Sequence, residues 1–283
     1  MTDTHLNGPE LDRQFLEYDK ANVRRTRNLR LIPTVENRRG GKLAAIEWAH
    51  VIGLFQSLIA IHLNSRPDAH ILDVGCGTGL VAIASEPFVQ EGGLYTGIDV
   101  STTDIGFCQQ HYTDPWFSFV HVDVHNAHFA TEQSSTQAPW PIADSSQDMV
   151  TALSVWTHLN EADATYYMKE VHRVLKPAGR AIITFFHLDE VYTASIARRT
   201  NATGRYHKTN QAAWIFDQPA YGSANWLHRY DVKTPEQAMG VTEAGVQSLL
   251  HTSELSLREH HHGNWKEVPG LFFQDILVLE KSS

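Results

Sequence analysis

Cysteine is scarce: the chain has two among 283 residues, Cys76 and Cys108. One of them sits inside a glycine-rich stretch, which argues against a disulfide-stapled domain and for a reducing, cytoplasmic compartment. Basic residues are also few, 23 Lys and Arg against 32 Asp and Glu, for a net charge of -9 with histidine neutral. That balance disfavours nucleic acid as a partner, because non-specific binding requires neutralised phosphates. The opening residues MTDTHLNGPELDR lack the basic-then-apolar layout of a signal peptide. The longest apolar stretch, residues 51–63, reads as too short and too polar to span a bilayer. It is expected to be a buried helix, with no membrane partner. No internal repeat is visible. What is left, 42% hydrophobic and 19% charged residues, suits a soluble chain with one large α/β domain or two small ones.

Two N-terminal stretches, 9–30 and 42–63, carry apolar residues at helical spacing, with Pro33 and the Gly40-Gly41 pair breaking the pattern between them. From residue 67 short β-rich runs alternate with helical ones. Strands are expected at 70–76, 93–100, 117–124, 148–155 and 179–186. An amphipathic helix over 161–177 is expected to stop at Pro177 and Gly179. Repeated βα units imply a doubly wound, mostly parallel sheet. Residues of about 187–240 leave that rhythm, and the runs 212–218 and 224–232 predict a hairpin. A helix over 242–252 then leads to two closing strands, which predict an antiparallel edge. The expected division is an N-terminal helical lid or substrate region, 1–66, and a domain over 67–283 that carries the insert.

The run AHILDVGCGTGLVAIAS, residues 69–85, sets Gly75, Gly77 and Gly79 at every second position behind a strand. In a doubly wound sheet the first βα turn lies at the ligand site. Glycines there allow a tight turn and close approach of a ligand to the backbone. A dinucleotide fingerprint would be G-x-G-x-x-G. Here the pattern is G-x-G-x-G and position 80 is Leu80, which counts against a nicotinamide-dependent dehydrogenase.

Asp73 followed by Gly75, Gly77 and Gly79 resembles the first motif of the class I S-adenosylmethionine-dependent methyltransferases. The runs YTGIDV, FVHVDVHN, ALSVWTHL and RVLKPAGRAIIT extend the resemblance in the family's order, over about residues 67–186 well and over the last strands loosely. It implies a Rossmann-like, seven-stranded sheet with an antiparallel last strand, and S-adenosylmethionine as cofactor. By the resemblance, Asp73 faces the ligand's ammonium end, directly or through water. Gly75 and Gly77 make room for its methionyl and ribose parts, with Gly79 completing the turn. Cys76 is a small filler in that turn, with nothing nearby to activate it as a nucleophile. Asp99 accepts the ribose hydroxyls beside Val100. Asp123 meets the adenine amine and Val124 packs on the ring. Ser154 lines the methionyl and substrate side.

The implied reaction is methyl transfer, with O-methylation of a small molecule or sugar-type acceptor as the leading expectation. A hydroxyl acceptor needs a general base. His158 and His187 follow strands four and five, where such a base belongs, and Asp189 could orient His187. The Asn-Pro-Pro-aromatic signature of amino-methylating nucleic-acid enzymes is absent after strand four. In EHHHGNW, residues 259–265, His260 and His262 share a strand face. A solvated edge is the reading preferred there, and no metal is expected. Aromatics of the insert, Tyr192, Tyr206, Trp214, Phe216, Tyr221, Trp226 and Tyr230, form either a small core or stacking surfaces for the acceptor. Arginines 24, 25, 27, 30, 38 and 39 form a cluster that is either a solvated face or an anion receiver, with Arg38 and Arg39 the better candidates. A non-catalytic binding module and a protein or RNA methyltransferase stay open, as does a homo-oligomer.

Overall fold

The computed structural model describes Arg13 and residues 29–63, 66–126 and 137–283. The first expected helix, 9–30, lies almost wholly outside the described residues, as do Arg24, Arg25 and Arg27.

Five strands run parallel: β1 His70–Val74, β2 Leu94–Asp99, β3 Phe117–His121, β4 Gln147–Ala152 and β5 Leu175–Phe185. The chain lays β1, β2 and β3 outward in one direction, then returns to place β4 and β5 on the other side of β1. The strand order therefore reverses between β1 and β4, which opens a crevice at their carboxyl ends. The last two strands, β10 Leu255–His261 and β11 Asp275–Lys281, close the seven-stranded sheet. β11 is antiparallel to β5 and lies inside β10. Central strands are buried on both faces, so Ile71, Leu72, Val150, Ile182 and Ile183 are fully enclosed.

Helices cover both faces. On one, α1 Ala45–Leu63 packs on α2 Leu80–Ser85, with Phe55, Leu58 and Ile59 joined to Ile71, Ala82 and Ile182. On the other, α4 Glu161–Val174 and α6 Glu243–Ser253 pack Met168, Val171, Val246 and Leu249 against Val150, Ile183 and Leu277. Helix starts follow their caps: Ser101 for α3 Thr102–His111, Asn160 for α4, Asp189 for α5 Glu190–Ile196 and Thr242 for α6.

Several expectations need correction. Helix α1 has 19 residues, and by length and composition it is apolar enough to cross a membrane, which the shorter reading of 51–63 missed. Its apolar face is buried in the protein core, so α1 is a layer of the domain and not part of a lid. Of the expected lid, the described segment 29–44 is what reaches the crevice. The helix over 161–177 ends at Val174, because Leu175 is already extended and opens β5. Pro177, Ala178 (φ 61°) and Gly179 lie in an irregular strand start. The insert is a second sheet of four strands: β6 His187–Leu188, β7 Phe216–Pro219, β8 Trp226–Arg229 and β9 Met239–Thr242, in the order β6-β9-β8-β7. It contains the expected hairpin, β7 with β8.

Candidate functional site

A cavity of about 500 Å³ opens at the carboxyl ends of β1, β2 and β4. Its floor at one end is the first βα turn. Gly75 and Gly77 line it. Gly75 has φ +66°, and a Cβ there would lie 2.4 Å from Val155 Cγ2. The loop after β4 therefore demands glycine as much as any ligand does. Gly79 serves a different end. It has φ +89° and the Tyr112 ring lies where its Cβ would be, while the Tyr112 hydroxyl donates to the Thr78 carbonyl at 2.8 Å.

Asp99 ends β2 at the cavity wall. Its carboxylate accepts from the Gly77 N–H and the Ser101 N–H, each at 2.8 Å. Burial raises its pKa, opposed by those two amide bonds. One carboxylate thus couples the glycine turn to the start of α3. Val100 and Val124 also line the cavity.

Other expected cofactor contacts are not brought there. Asp73 points into the sheet and is 1% exposed. It accepts from the Tyr95 hydroxyl at 2.6 Å and the Thr151 hydroxyl at 2.7 Å. Burial pushes its carboxyl up to about 7, partly offset by the Tyr95 and Thr151 bonds. Cys76 is buried against Gly97, and burial pushes its thiol well up. Strand β3 stops at His121, so Asp123 lies beyond it, exposed and off the cavity.

The Asp73 carboxyl gives a direct pH test. Its folded pKa lies above the unfolded 3.8, so its contribution to stability is full below pH 3.8 and is lost as pH rises through about 7. An amide imitates the protonated form: it can accept from Tyr95 and donate to Thr151. In the ligand-free protein, Asp73→Asn is expected to gain about 3 °C or more in Tm relative to wild type between pH 5 and pH 8. Thermal unfolding at the two pH values checks this; an equal difference at both would show that the carboxyl does not titrate there.

Strand β4 ends at Ala152, earlier than expected, and Ser154 takes a left-handed backbone (φ 62°) on the cavity wall. Three hydrogen bonds hold it. Thr184 Oγ1 accepts the Ser154 N–H at 2.7 Å and donates to Gln274 Oε1 at 2.6 Å, and Gln274 Nε2 donates to Ser154 Oγ at 2.9 Å. Thr184→Val would leave two buried polar groups without partners, at about 1–3 kcal/mol each. Its Tm is expected to fall by at least about 3 °C while Thr184→Ser stays near wild type. Equal Tm values for Val and Ser would remove the clamp from the account.

The turn Trp156–His158 and α4 also line the cavity. Trp140 and Tyr167 stand parallel there, with ring centroids 5.6 Å apart and planes 5° from each other. His158 Nδ1 lies 2.6 Å from the Glu236 carbonyl, so that nitrogen carries the proton. In the neutral ring Nε2 is then the basic atom. Glu236 belongs to the insert, which thereby holds a cavity-lining side chain through a backbone oxygen.

His187 is corrected: it is 3% exposed, off the cavity, and its Nε2 lies 2.9 Å from Glu243. The reason is that β5 ends at Phe185 and His187 starts the second sheet. Asp189 is the cap of α5, not a partner of a base. The solvated-edge reading of the histidine run also fails. His260 and His261 are each 1% exposed, and His260 lies 3.1 Å from Asp275. Asp189, His260, His262 and Asp275 place possible ligand atoms within 4.8 Å of one another. The buried Lys266 ammonium sits 2.7 Å from Asp189 and 2.6 Å from Asp275, where a cation would go. Despite burial, His262 and Lys266 hold Asp189 below the usual carboxylate range.

The arginine readings divide. Arg39 lines the cavity but is forked onto Asp104, with Nε 3.1 Å and Nη2 2.6 Å from Oδ1. Arg38 donates to the Pro33 and Leu43 carbonyls and folds its own loop. Among the insert's aromatics, Tyr192, Trp214 and Phe216 join Phe186 and Trp265 in a small core, and none of the seven lines the cavity. Sequence reasoning missed Trp140, Tyr167, Asp163 and Asp104. The available signal was a tryptophan between prolines, APWP, in an otherwise polar segment.

Comparison with known proteins agrees with this geometry. Residues 72–183 match the methyltransferase domain family. A demethylmenaquinone methyltransferase of Streptomyces griseus is 25% identical over 182 residues, 59% of this chain and 70% of that protein. An O-methyltransferase of Aspergillus sclerotiorum is 34% identical over 133 residues, 46% of this chain and 45% of that protein. The match thus spans less than half the length of the fungal relative. In fold, the chain is similar to the magnesium protoporphyrin IX methyltransferase of Synechocystis PCC 6803, solved with S-adenosylhomocysteine bound. That likeness has a TM-score of 0.50 and 16% identity, covering 86% of this chain and 90% of that one.

Proposed function

The chain belongs to the class I S-adenosylmethionine-dependent methyltransferases, and on that premise we propose that it methylates a hydroxyl of a small-molecule acceptor. The single observation that carries the reading is that one cavity is lined by the glycine turn, by the Asp99 carboxylate and by an imidazole whose Nδ1 proton is directed to the Glu236 carbonyl.

The residues present fit the cofactor. A Cβ at Gly75 would strike the cavity-lining Val155, and the Asp99 carboxylate on the cavity wall can accept from ribose hydroxyls. Bound there, S-adenosylmethionine supplies a methyl group already activated on a sulfonium. Gly75 and Gly77 would admit the ligand to the backbone, Asp99 and Val100 would take the ribose, and Val124 would pack on the base. Ser154 lines the boundary between cofactor and acceptor. His158 Nε2 would take the O–H proton of the acceptor as its oxygen is methylated. Much of the remaining rate enhancement is alignment.

Purified protein, labelled S-adenosylmethionine and fractionated small molecules test the reading. Label is expected in a base-stable, neutral product, with S-adenosylhomocysteine formed in equal amount. Calorimetric binding of NAD without binding of S-adenosylhomocysteine would end it.

A further inference from the structure

We propose that Tyr221 and Glu236, both from the insert, are positioning residues that hold the His158 imidazole in its Nδ1-protonated form. This rests on the reading of His158 as the base and adds the device that keeps it one.

The first ground is a chain of contacts. His158 Nδ1 lies 2.6 Å from the Glu236 carbonyl, and the side chain of the same glutamate accepts the Tyr221 hydroxyl on Oε1 at 2.7 Å. Nothing in an imidazole ring itself fixes the proton on Nδ1; the hydrogen-bond partner does. With the proton on Nε2 instead, the ring could not take another there. The Glu236 carbonyl must therefore stay aimed. It belongs to the turn Pro235–Gln237, which the Gln237 N–H closes onto the Thr234 carbonyl and the Ala238 N–H onto the Pro235 carbonyl, each at 3.1 Å. The Tyr221 bond ties that turn to the loop Ala220–Gly222, between β7 and β8. A turn closed on itself and held from outside by its side chain keeps its carbonyl directed at His158.

The second ground is what the arrangement costs. Glu236 is 3% exposed, yet its Oε2 is buried with no hydrogen-bond partner among the described residues. A buried carboxylate oxygen left unmet opposes folding, and an apolar side chain would be the more stable filling. Tyr221 takes a left-handed backbone, φ 51° and ψ 31°, which a bulky side chain rarely adopts. The residue is 67% exposed, so burial of its ring does not explain the strain. Desolvation at the hydroxyl, with the Glu236 carboxylate beside it, pushes its pKa up to about 12, so it remains a donor near neutral pH. Two unfavourable features thus meet in one hydrogen bond, and the residue that accepts it holds the base.

Isotopic labelling of the histidine ring nitrogens and long-range proton–nitrogen correlation spectra of the ligand-free protein at pH 8.5 read the tautomer directly, with His158→Ala identifying the signal. The wild-type ring is expected to be neutral and Nδ1-protonated. Tyr221→Phe keeps the exposed ring and removes the hydroxyl. It should raise the ratio of Nε2-protonated to Nδ1-protonated His158 about fivefold, which is about 1 kcal/mol, the usual net worth of one hydrogen bond. Glu236→Ala should do the same. Glu236→Gln, which keeps an acceptor for the Tyr221 hydroxyl, should stay near wild type. A wild-type ring in any other form would overturn the proposal without recourse to a variant. So would an unchanged ratio in Tyr221→Phe or Glu236→Ala, even with a lowered Tm, because the bond would then be structural only. The spectra need no ligand and stand apart from the parent reading. Failure of the wild type to bind S-adenosylhomocysteine ends the methyltransferase reading, whereas an unchanged ratio in protein that binds it removes only the positioning role.

Discussion

His158→Ala is expected to lower kcat by about 10²–10⁴-fold, the usual worth of a positioned general base. The Kd for S-adenosylhomocysteine should stay within about twofold, since a base for the acceptor is not needed to hold the cofactor product. The pH profile supplies the sharper test. Only the neutral ring can take the acceptor's proton at Nε2, because Nδ1 is committed to the Glu236 carbonyl 2.6 Å away. Wild-type turnover should therefore rise with pH and level off. The variant should lose that rising limb. Single-turnover rates with saturating labelled cofactor, measured from pH 5 to pH 9, separate this from slow product release. A rising limb that survives in His158→Ala would assign the base elsewhere.

Asp99→Ala is expected to raise the Kd for S-adenosylhomocysteine by about 10–100-fold. Charge-assisted hydrogen bonds to ribose hydroxyls are worth about 1.5–3 kcal/mol each. There is a second contribution, from the protein itself. The carboxylate accepts the Gly77 and Ser101 amides at 2.8 Å, so its loss also frees the turn that the ligand would approach. Asp99→Asn keeps the size and one acceptor oxygen, and should fall between alanine and wild type. Calorimetry on all three proteins, with thermal unfolding to show that each is folded, decides it. An unchanged Kd in folded Asp99→Ala would remove the carboxylate from the site.

Local patterns reached far in this chain. Alternation of apolar strands with helices made the doubly wound sheet readable from β1 to β5, because each βα unit repeats the same packing problem. The G-x-G-x-G spacing marked the turn, and chain order alone put Asp99 and His158 at strand ends. Those are properties of neighbours in sequence. The positions that sequence misassigned depend instead on where a strand stops or which way one side chain turns. Asp73 alternates into the sheet, toward Tyr95 and Thr151. β3 ends two residues before Asp123, and β5 ends two residues before His187, which then serves a second sheet.

What only the tertiary structure decided is pairing over long sequence separations. Asp104 claims Arg39 from 65 residues away, and Glu236 sets the His158 tautomer from 78. Gln274 reaches back 120 residues to steady Ser154, and Lys266 reaches 77 to Asp189. Composition and spacing carry no trace of such contacts, since any acid or carbonyl of the chain could have filled each role. Arg39 shows the consequence: it reads as an anion receiver in sequence, and in space the Asp104 carboxylate already holds it.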